Sequence, residues 1–226
     1  MLKGFYQFDE TFALNESIPA WVADCARITL SYLLEDRFPC YYAKMAIERR
    51  AAFASYLNSE DLTLPLILAT SLREFLNKKI SPKNLPVFIV FIKTNVDSLD
   101  KTKVVFWKLL EDLGGCSVPV EHIQPNDSQW TFTFDRAPLF INGHSRFYKN
   151  KRSRWSAADL MLVLQPVANL EFLADSEAKA QEISSIIRKR VCTFDGSTVG
   201  PEFGKHFLDW KTSYAAQYWL ADNIIT

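Results

Sequence analysis

Several features that mark familiar protein classes are missing from this sequence. It has only 7 glycines in 226 residues, and they form neither a phosphate-binding loop nor the nucleophile elbow of serine hydrolases. No uninterrupted apolar segment approaches the roughly 20 residues that span a bilayer. The four cysteines are scattered without a CxxC pair, which speaks against a disulfide framework or a zinc site.

The charge is balanced, with 26 Lys plus Arg against 26 Asp plus Glu. Proteins that bind nucleic acid usually carry a basic face, so we expect no nucleic acid partner. Met1 to Glu10 lacks the apolar run of a secretion signal, and we therefore expect a soluble, cytoplasmic protein with reduced thiols and no membrane partner. The sequence makes no prediction about the oligomeric state.

The apolar pattern predicts a mixture of helices and strands. Hydrophobic residues make up 48% of the chain and include 17 Phe, which is enough for the core of one domain over residues 1–226. Helices are expected from Ser17, from Asp61, from Asp97 or Ser98 to Gly114-Gly115, from Ser176, and over Lys205 to Leu220. Strands are expected at Val87–Ile92, in a hairpin over Gln129–Asn142 that breaks at Asp135-Arg136, and at Leu160–Leu164. This order predicts an α+β domain in which helices cover a central mixed sheet.

The segment from Phe140 to Arg154, FINGHSRFYKNKRSR, has the strongest chemical signal. A strand is predicted to deliver His144 onto a glycine turn at Gly143, and Arg152 and Arg154 follow. A neutral imidazole can bind a metal, and guanidinium groups suit carboxylates, so this pattern favours a site for a planar, anionic cofactor. The alternative interpretation is a polar hairpin tip with solvated arginines.

Six spaced segments resemble those of the YqcI/YcgG family and occur in that family's order. They are Phe38-Pro39-Cys40 with Ala43, Leu139-Phe140 with Gly143-His144, Ser153-Arg154, Leu164-Gln165-Pro166 with Glu171-Phe172, Ile187-Arg188 with Arg190, and Ala216-Gln217-Tyr218. The chain is thus similar to haem-dependent oxygenases that oxidise the nitrogen of an amine or a guanidine. This resemblance covers most of the sequence.

The resemblance implies haem as cofactor and a small nitrogenous molecule as substrate. His144 would be the catalytic and metal-binding residue, as axial ligand of the haem iron, and Asp159 is one candidate to orient its ring. Arg152 and Arg154 would pair with the haem propionates, with Arg146 as a further candidate. Electrons would come from an external donor or from peroxide, since no flavin or nicotinamide fingerprint is visible.

Two positions leave alternatives open. Cys40 is a rival cofactor ligand, because a thiolate favours O–O cleavage, although a cysteine at an apolar helix start is also typical of a structural residue. At position 167 many relatives place a histidine, whereas this chain has Val167. The alternative function is therefore a non-catalytic haem- or small-ligand-binding protein of the same fold. A third hypothesis is an unrelated enzyme that binds an anionic substrate on the basic loop.

Overall fold

The computed structural model describes residues 4–58, 64–117, 132–174 and 176–196. Within these ranges six strands form one mixed sheet in the order β1-β2-β3-β6-β5-β4. The strands are β1 (Tyr6–Gln7), β2 (Ala52–Asn58), β3 (Val87–Lys93), β4 (Phe132–Phe134), β5 (Ala137–His144) and β6 (Leu160–Pro166). The α-helices are α1 (Ala20–Leu33), α2 (Tyr41–Glu48), α3 (Leu64–Asn77), α4 (Leu99–Gly115), α5 (Val167–Leu173) and α6 (Glu177–Asp195).

Helices cover both faces of this sheet, which confirms the predicted α+β fold with a central mixed sheet. Strands β2 and β3 are parallel, and the other neighbouring pairs are antiparallel. The strand predicted at Val87–Ile92 is β3, and its apolar run is unbroken because it lies in the middle of the sheet with both faces covered. The extent of the domain over residues 1–226 stays a prediction, since part of the chain lies outside the described ranges.

Two apolar cores lie on opposite faces of the sheet. On the first face, α3 and α4 pack against alternate residues of the strands, including Leu139 and Ile141 of β5. On the second face, α1 and α2 pack against Ala54, Phe91 and Met161. Because side chains alternate along a strand, the remaining residues of β5 point to the second face.

Two of the predicted local signals are confirmed. The Ser98 and Ser176 hydroxyls accept hydrogen bonds from the backbone N–H groups three residues further on, at the starts of α4 and α6. Asp135 and Arg136 form the turn between β4 and β5 with positive φ angles of 46° and 67°. Two successive positive φ angles are typical of the two-residue turns that suit twisted hairpins.

The predicted start of the first helix at Ser17 is wrong. Helix α1 begins at Ala20 after Pro19 without a side-chain cap, and the Ser17 hydroxyl instead donates to Asn15 Oδ1 at 2.6 Å. The predicted end of α4 at Gly114-Gly115 is confirmed. The chain continues into a right-handed Cys116, whose N–H bonds to the Leu113 carbonyl at 3.1 Å. The start at residue 61 and the helix over 205–220 lie outside the described residues.

The first core makes a direct prediction about stability. Leu72 of α3 is fully buried, whereas Leu14 is 80% exposed. We expect Leu72→Ala to lower the free energy of unfolding by about 2–5 kcal/mol, because it removes buried methyl groups and leaves a cavity. Leu14→Ala, the same change at the surface, should stay within about 0.5 kcal/mol. Urea denaturation followed by circular dichroism measures both, and equal losses would contradict the core assignment.

Candidate functional site

His144 is the last residue of β5 and lies on the second face of the sheet. Its partner across the ladder is Met161 of β6, and Gly143 pairs with Leu162. The predicted glycine turn is therefore wrong, because the pairing of β5 with β6 keeps Gly143 and His144 extended. The chain turns after the strand, from Ser145 onward.

The His144 ring is half-buried and electrically neutral at physiological pH. Burial is the main cause that lowers its pKa, and the nearby positive charge of Arg154 adds to it, so the pKa falls to about 3. Among the residues described, none forms a hydrogen bond with the imidazole ring. A neutral imidazole with a ring nitrogen available is the form in which histidine binds a metal.

The surroundings of His144 are a partly open patch of the second face. We name it the β5–β6 patch. It is formed by alternate residues of the two strands, namely Phe140, Asn142 and His144 of β5 with Val163 and Gln165 of β6. Cross-strand pairing places Asn142 beside Val163 and Phe140 beside Gln165, and all of them are half-buried. On the same face, the Thr29 hydroxyl of α1 lies 3.9 Å from the sulfur of Met161, the cross-strand partner of His144. The patch therefore begins where the cover provided by α1 ends.

A short loop after β5 brings a buried arginine to this patch. Arg154 is only 8% exposed, and its Nη1 donates to Asn142 Oδ1 at 3.0 Å. The Arg154 carbonyl accepts from the Ser145 N–H at 3.0 Å, and the Ser145 hydroxyl donates to the Asp159 carbonyl at 2.6 Å. Arg154 is thus a buried cation held against β5, and the solvated-loop interpretation does not describe it.

Arg152 lies in the same 3-10 turn, but its side chain points elsewhere. Its guanidinium donates to both carboxylate oxygens of Glu35, at 2.9 and 3.0 Å. The same group lies over the Phe194 ring at 4.3 Å and the Tyr32 ring at 5.2 Å. A propionate would have to exchange with Glu35, so a cofactor role for Arg152 stays a prediction.

Asp159 and Arg146 form a separate, structural pair. Arg146 Nε lies 2.8 Å from one carboxylate oxygen of Asp159, and the other oxygen accepts from the Thr94 N–H at 2.7 Å. This carboxylate therefore anchors the loop after β3 to the start of β6. It is committed to these partners, and the structure does not bring it to the His144 ring.

Cys40 borders a different feature of the molecule. It directly precedes α2 and borders a cavity of about 200 Å³. We name this the α1–α2–α6 cavity, because residues near the end of α1, the start of α2 and the last part of α6 surround it. Its lining residues are Leu33, Glu35, Asp36, Phe38, Cys40, Lys44 and Arg190. Burial raises the pKa of the Cys40 thiol above its usual range. The group is therefore protonated at neutral pH, whereas the thiolate is the form that ligates metals. The predicted helix start after Cys40 is confirmed.

Val167 lies far from His144. It is buried at the junction of β6 and α5, next to Pro166, which pairs with Leu139 at the other end of β5. Val167 stands six positions after Met161, the cross-strand partner of His144. At about 3.3 Å per residue, the distance along β6 between these two positions is on the order of 20 Å. A side chain at position 167 and the His144 ring therefore serve opposite ends of the strand pair.

The remaining histidines, His122 and His206, lie outside the described residues. Within the described ranges, no group of three or more His, Cys, Asp and Glu side chains is arranged to hold a bare metal ion. The described helices also include none that is long and apolar enough to cross a membrane.

Three residues of these sites were given no functional role in the sequence analysis. Asn142, which accepts from Arg154, stands two positions before His144, and the period-two alternation of a strand is the signal that could have found it. Glu35 and Arg190 contact partners more than a hundred positions away, at Arg152 and Phe38. No local pattern marks such contacts.

The fold and the site together define a class: an α+β protein that presents a neutral histidine beside a buried arginine on one face of a mixed sheet. The chain belongs to the YqcI/YcgG family, whose sequence profile matches residues 29–224. This match confirms the resemblance inferred from the motifs.

Similar proteins span nearly the whole chain. The uncharacterized protein YcgG of Bacillus subtilis (strain 168) is 26% identical, with 99% of this chain and 92% of that protein covered. The putative N(omega)-hydroxy-L-arginine synthase DcsA of Streptomyces lavendulae is 22% identical over 87% of this chain and 80% of its own length. The uncharacterized protein YqcI of Bacillus subtilis (strain 168) is 25% identical over 93% and 87%. No solved structure matches the chain.

The lowered pKa of His144 predicts a pH dependence of stability. Between about pH 3 and the unfolded value near 6.5, the unfolded chain binds a proton that the native state does not. The free energy of unfolding therefore falls as the pH drops through this window. For this group alone the loss between pH 7 and pH 5 is about 2 kcal/mol. In the haem-free protein, His144→Gln should reduce the fall in the free energy of unfolding between pH 7 and pH 5 by this amount, as measured by urea denaturation at both pH values. A fall as large as in the unaltered protein would contradict a buried, neutral His144.

Proposed function

We propose that this protein is a haem-dependent oxygenase of the monooxygenase type that oxidises a nitrogen of a small amine or guanidine-like metabolite. The observation that carries the proposal is the neutral His144 ring, which lies on the β5–β6 patch without a hydrogen-bond partner among the described residues. Membership of the YqcI/YcgG family and the relative named as a putative N(omega)-hydroxy-L-arginine synthase support the direction of the chemistry.

The donor groups on this patch fit a haem. A haem would be held through its iron by a side chain of the protein, for which a neutral imidazole is suited, and its propionates would pair with a cation, for which Arg154 is suited. Phe140 and Val163 add a partly apolar surface beside the ring. The α1–α2–α6 cavity is too small for a macrocycle, since about 200 Å³ lies below the range of ordinary cofactor pockets. These observations favour His144 over Cys40 as the ligand.

The residues of the chain would act by binding, orientation and charge. His144 would hold the iron through one ring nitrogen, and the strand pairing at Met161 would set the position of its backbone. Arg154 would place a fixed positive charge beside the patch, where Asn142 holds the guanidinium in a defined orientation. When bound, haem supplies the activation of oxygen that no side chain of this protein provides. An external electron donor, or peroxide, would provide the electrons.

A second candidate function is a non-catalytic haem- or small-ligand-binding protein of the same fold. Val167 is the observation that favours it, because this chain has a buried valine at the end of β6 where many relatives place a histidine. If that histidine carries the chemistry in those relatives, this protein would keep the fold and the ligand and would lack the turnover. Because position 167 and His144 lie far apart, the valine does not affect the proposed role of His144 in holding haem. Haem binding and turnover are therefore tested separately.

Replacement of His144 tests the ligand assignment. We expect His144→Ala to abolish or strongly shift the Soret band that appears on titration with hemin, because the ring nitrogen that would hold the iron is lost. The far-ultraviolet circular dichroism spectrum should show an intact fold. Leu14→Ala, a change at a residue that is 80% exposed, is the control and should bind hemin as the unaltered protein does. A band of full intensity and unchanged position in His144→Ala would remove His144 from this role.

Replacement of Arg154 tests the propionate assignment. Arg154→Ala should weaken hemin affinity by up to about tenfold, the share of one charge-assisted contact, without displacing the Soret band. Arg152→Ala is the comparison, because Glu35 already occupies that guanidinium, and its effect should be smaller. Unchanged affinity in Arg154→Ala would assign this residue to the packing of the loop alone.

Turnover separates the oxygenase from the binding protein. The hemin-loaded protein is incubated with L-arginine, dioxygen and a chemical reductant, or with peroxide, and then with a panel of small amines. Mass spectrometry should reveal a product with one added oxygen atom on nitrogen. Stoichiometric haem binding without such a product for any of these substrates would favour the non-catalytic alternative.

A further inference from the structure

The α1–α2–α6 cavity is a second site, distinct from the β5–β6 patch. It lies between the end of α1, the start of α2 and the last part of α6, and it has room for about six or seven water molecules at roughly 30 Å³ each. Leu33 and Phe38 form apolar walls, while Lys44 and Arg190 supply two positive charges. A small cavity with cations on apolar walls is suited to a compact anionic group.

Arg190 is the positively charged centre of this cavity. Its Nη2 donates to the Phe38 carbonyl at 2.8 Å and more weakly to the Asp36 carbonyl at 3.3 Å. Both partners are neutral backbone groups, and within the described part of the chain Arg190 makes no ion pair with a carboxylate. The guanidinium is thus oriented by the backbone, while no side chain of the described residues neutralises its charge.

The acidic residues around the cavity do not cancel this charge. Glu35 is engaged by Arg152, which takes both of its oxygens. The Asp36 side chain is 97% exposed and lies 3.7 Å from Lys44, and an ion pair at such an exposed position is weak. Asp36 offsets Lys44, so the positive charge that remains among the described residues of the cavity is that of Arg190.

We propose that the α1–α2–α6 cavity binds the carboxylate end of a small amino acid, with the carboxylate on Arg190 and Lys44. A guanidinium fork matches the two oxygens of a carboxylate, and Asp36 at the rim suits the neighbouring ammonium group. The volume accepts the carboxylate end of the amino acid and leaves its side chain to extend outward. The proposal rests on the cavity alone and holds whether or not the chain binds haem.

The test uses the haem-free protein and two probes that differ only in the group at issue. L-arginine carries the carboxylate, and agmatine is the same molecule without it. Isothermal calorimetry should show saturable binding of L-arginine and binding of agmatine that is at least about tenfold weaker. Agmatine binding as tightly as L-arginine, or no binding of L-arginine, would overturn the proposal, as would inorganic phosphate competing more strongly than L-arginine.

Two variants locate the binding. Arg190→Gln should raise the Kd for L-arginine at least about tenfold, and Lys44→Gln should raise it to a smaller degree. Arg27→Gln, at an exposed arginine of α1 paired with Asp24, is the matched control and should leave the Kd unchanged. If Arg190→Gln fails to fold, Lys44→Gln still tests the site. An unchanged Kd for L-arginine in Lys44→Gln would overturn the placement of the carboxylate in this cavity.

Cysteine alkylation gives a readout at the site itself. Cys40 lines the cavity, whereas the half-buried Cys116 follows α4 outside it. The reaction is run at alkaline pH, because burial keeps the Cys40 thiol protonated at neutral pH. L-arginine should slow the alkylation of Cys40 by iodoacetamide, measured by peptide mass spectrometry, and should leave Cys116 unaffected. Equal rates at Cys40 with and without L-arginine would place the bound amino acid elsewhere and overturn the proposal.

Discussion

The antiparallel pairing of β5 with β6 is the interaction on which the rest of the site depends. It holds Gly143 and His144 in extended backbone, so that the imidazole points to the second face instead of into solvent. The same alternation brings Asn142 to that face, where it accepts from Arg154. A shift of one residue in this register would exchange the faces of every side chain on β5 and remove both groups from the patch.

Burial then determines the chemistry of the two candidate ligands in opposite ways. The imidazole loses its proton when water is removed, which leaves a neutral ring able to bind a metal, whereas the Cys40 thiol keeps its proton and is a poor ligand. A single physical effect therefore distinguishes two residues that the sequence motifs left as rivals. It is consistent with the two different ligands that we propose, a haem on the β5–β6 patch and a carboxylate in the α1–α2–α6 cavity.

Local signals were sufficient for much of the fold but not for the site. The apolar run of β3, the Asp135-Arg136 turn and the serine cap of α6 each follow from a few adjacent residues, and the structure has all three. The extended Gly143 was not predictable from its neighbours, because its conformation is set by a partner strand. Contacts such as Glu35 with Arg152 depend on the assembled sheet and helices, so no sequence pattern near either residue indicates them.

The most direct measurement of the central claim is the absorption spectrum of the hemin-loaded protein after reduction and addition of carbon monoxide. The account predicts a stoichiometric Soret band that shifts on reduction and again on carbon monoxide binding, with the form typical of an imidazole ligand. A band of thiolate type would move the ligand from His144 to Cys40. The absence of any saturable band would contradict a haem site on the β5–β6 patch.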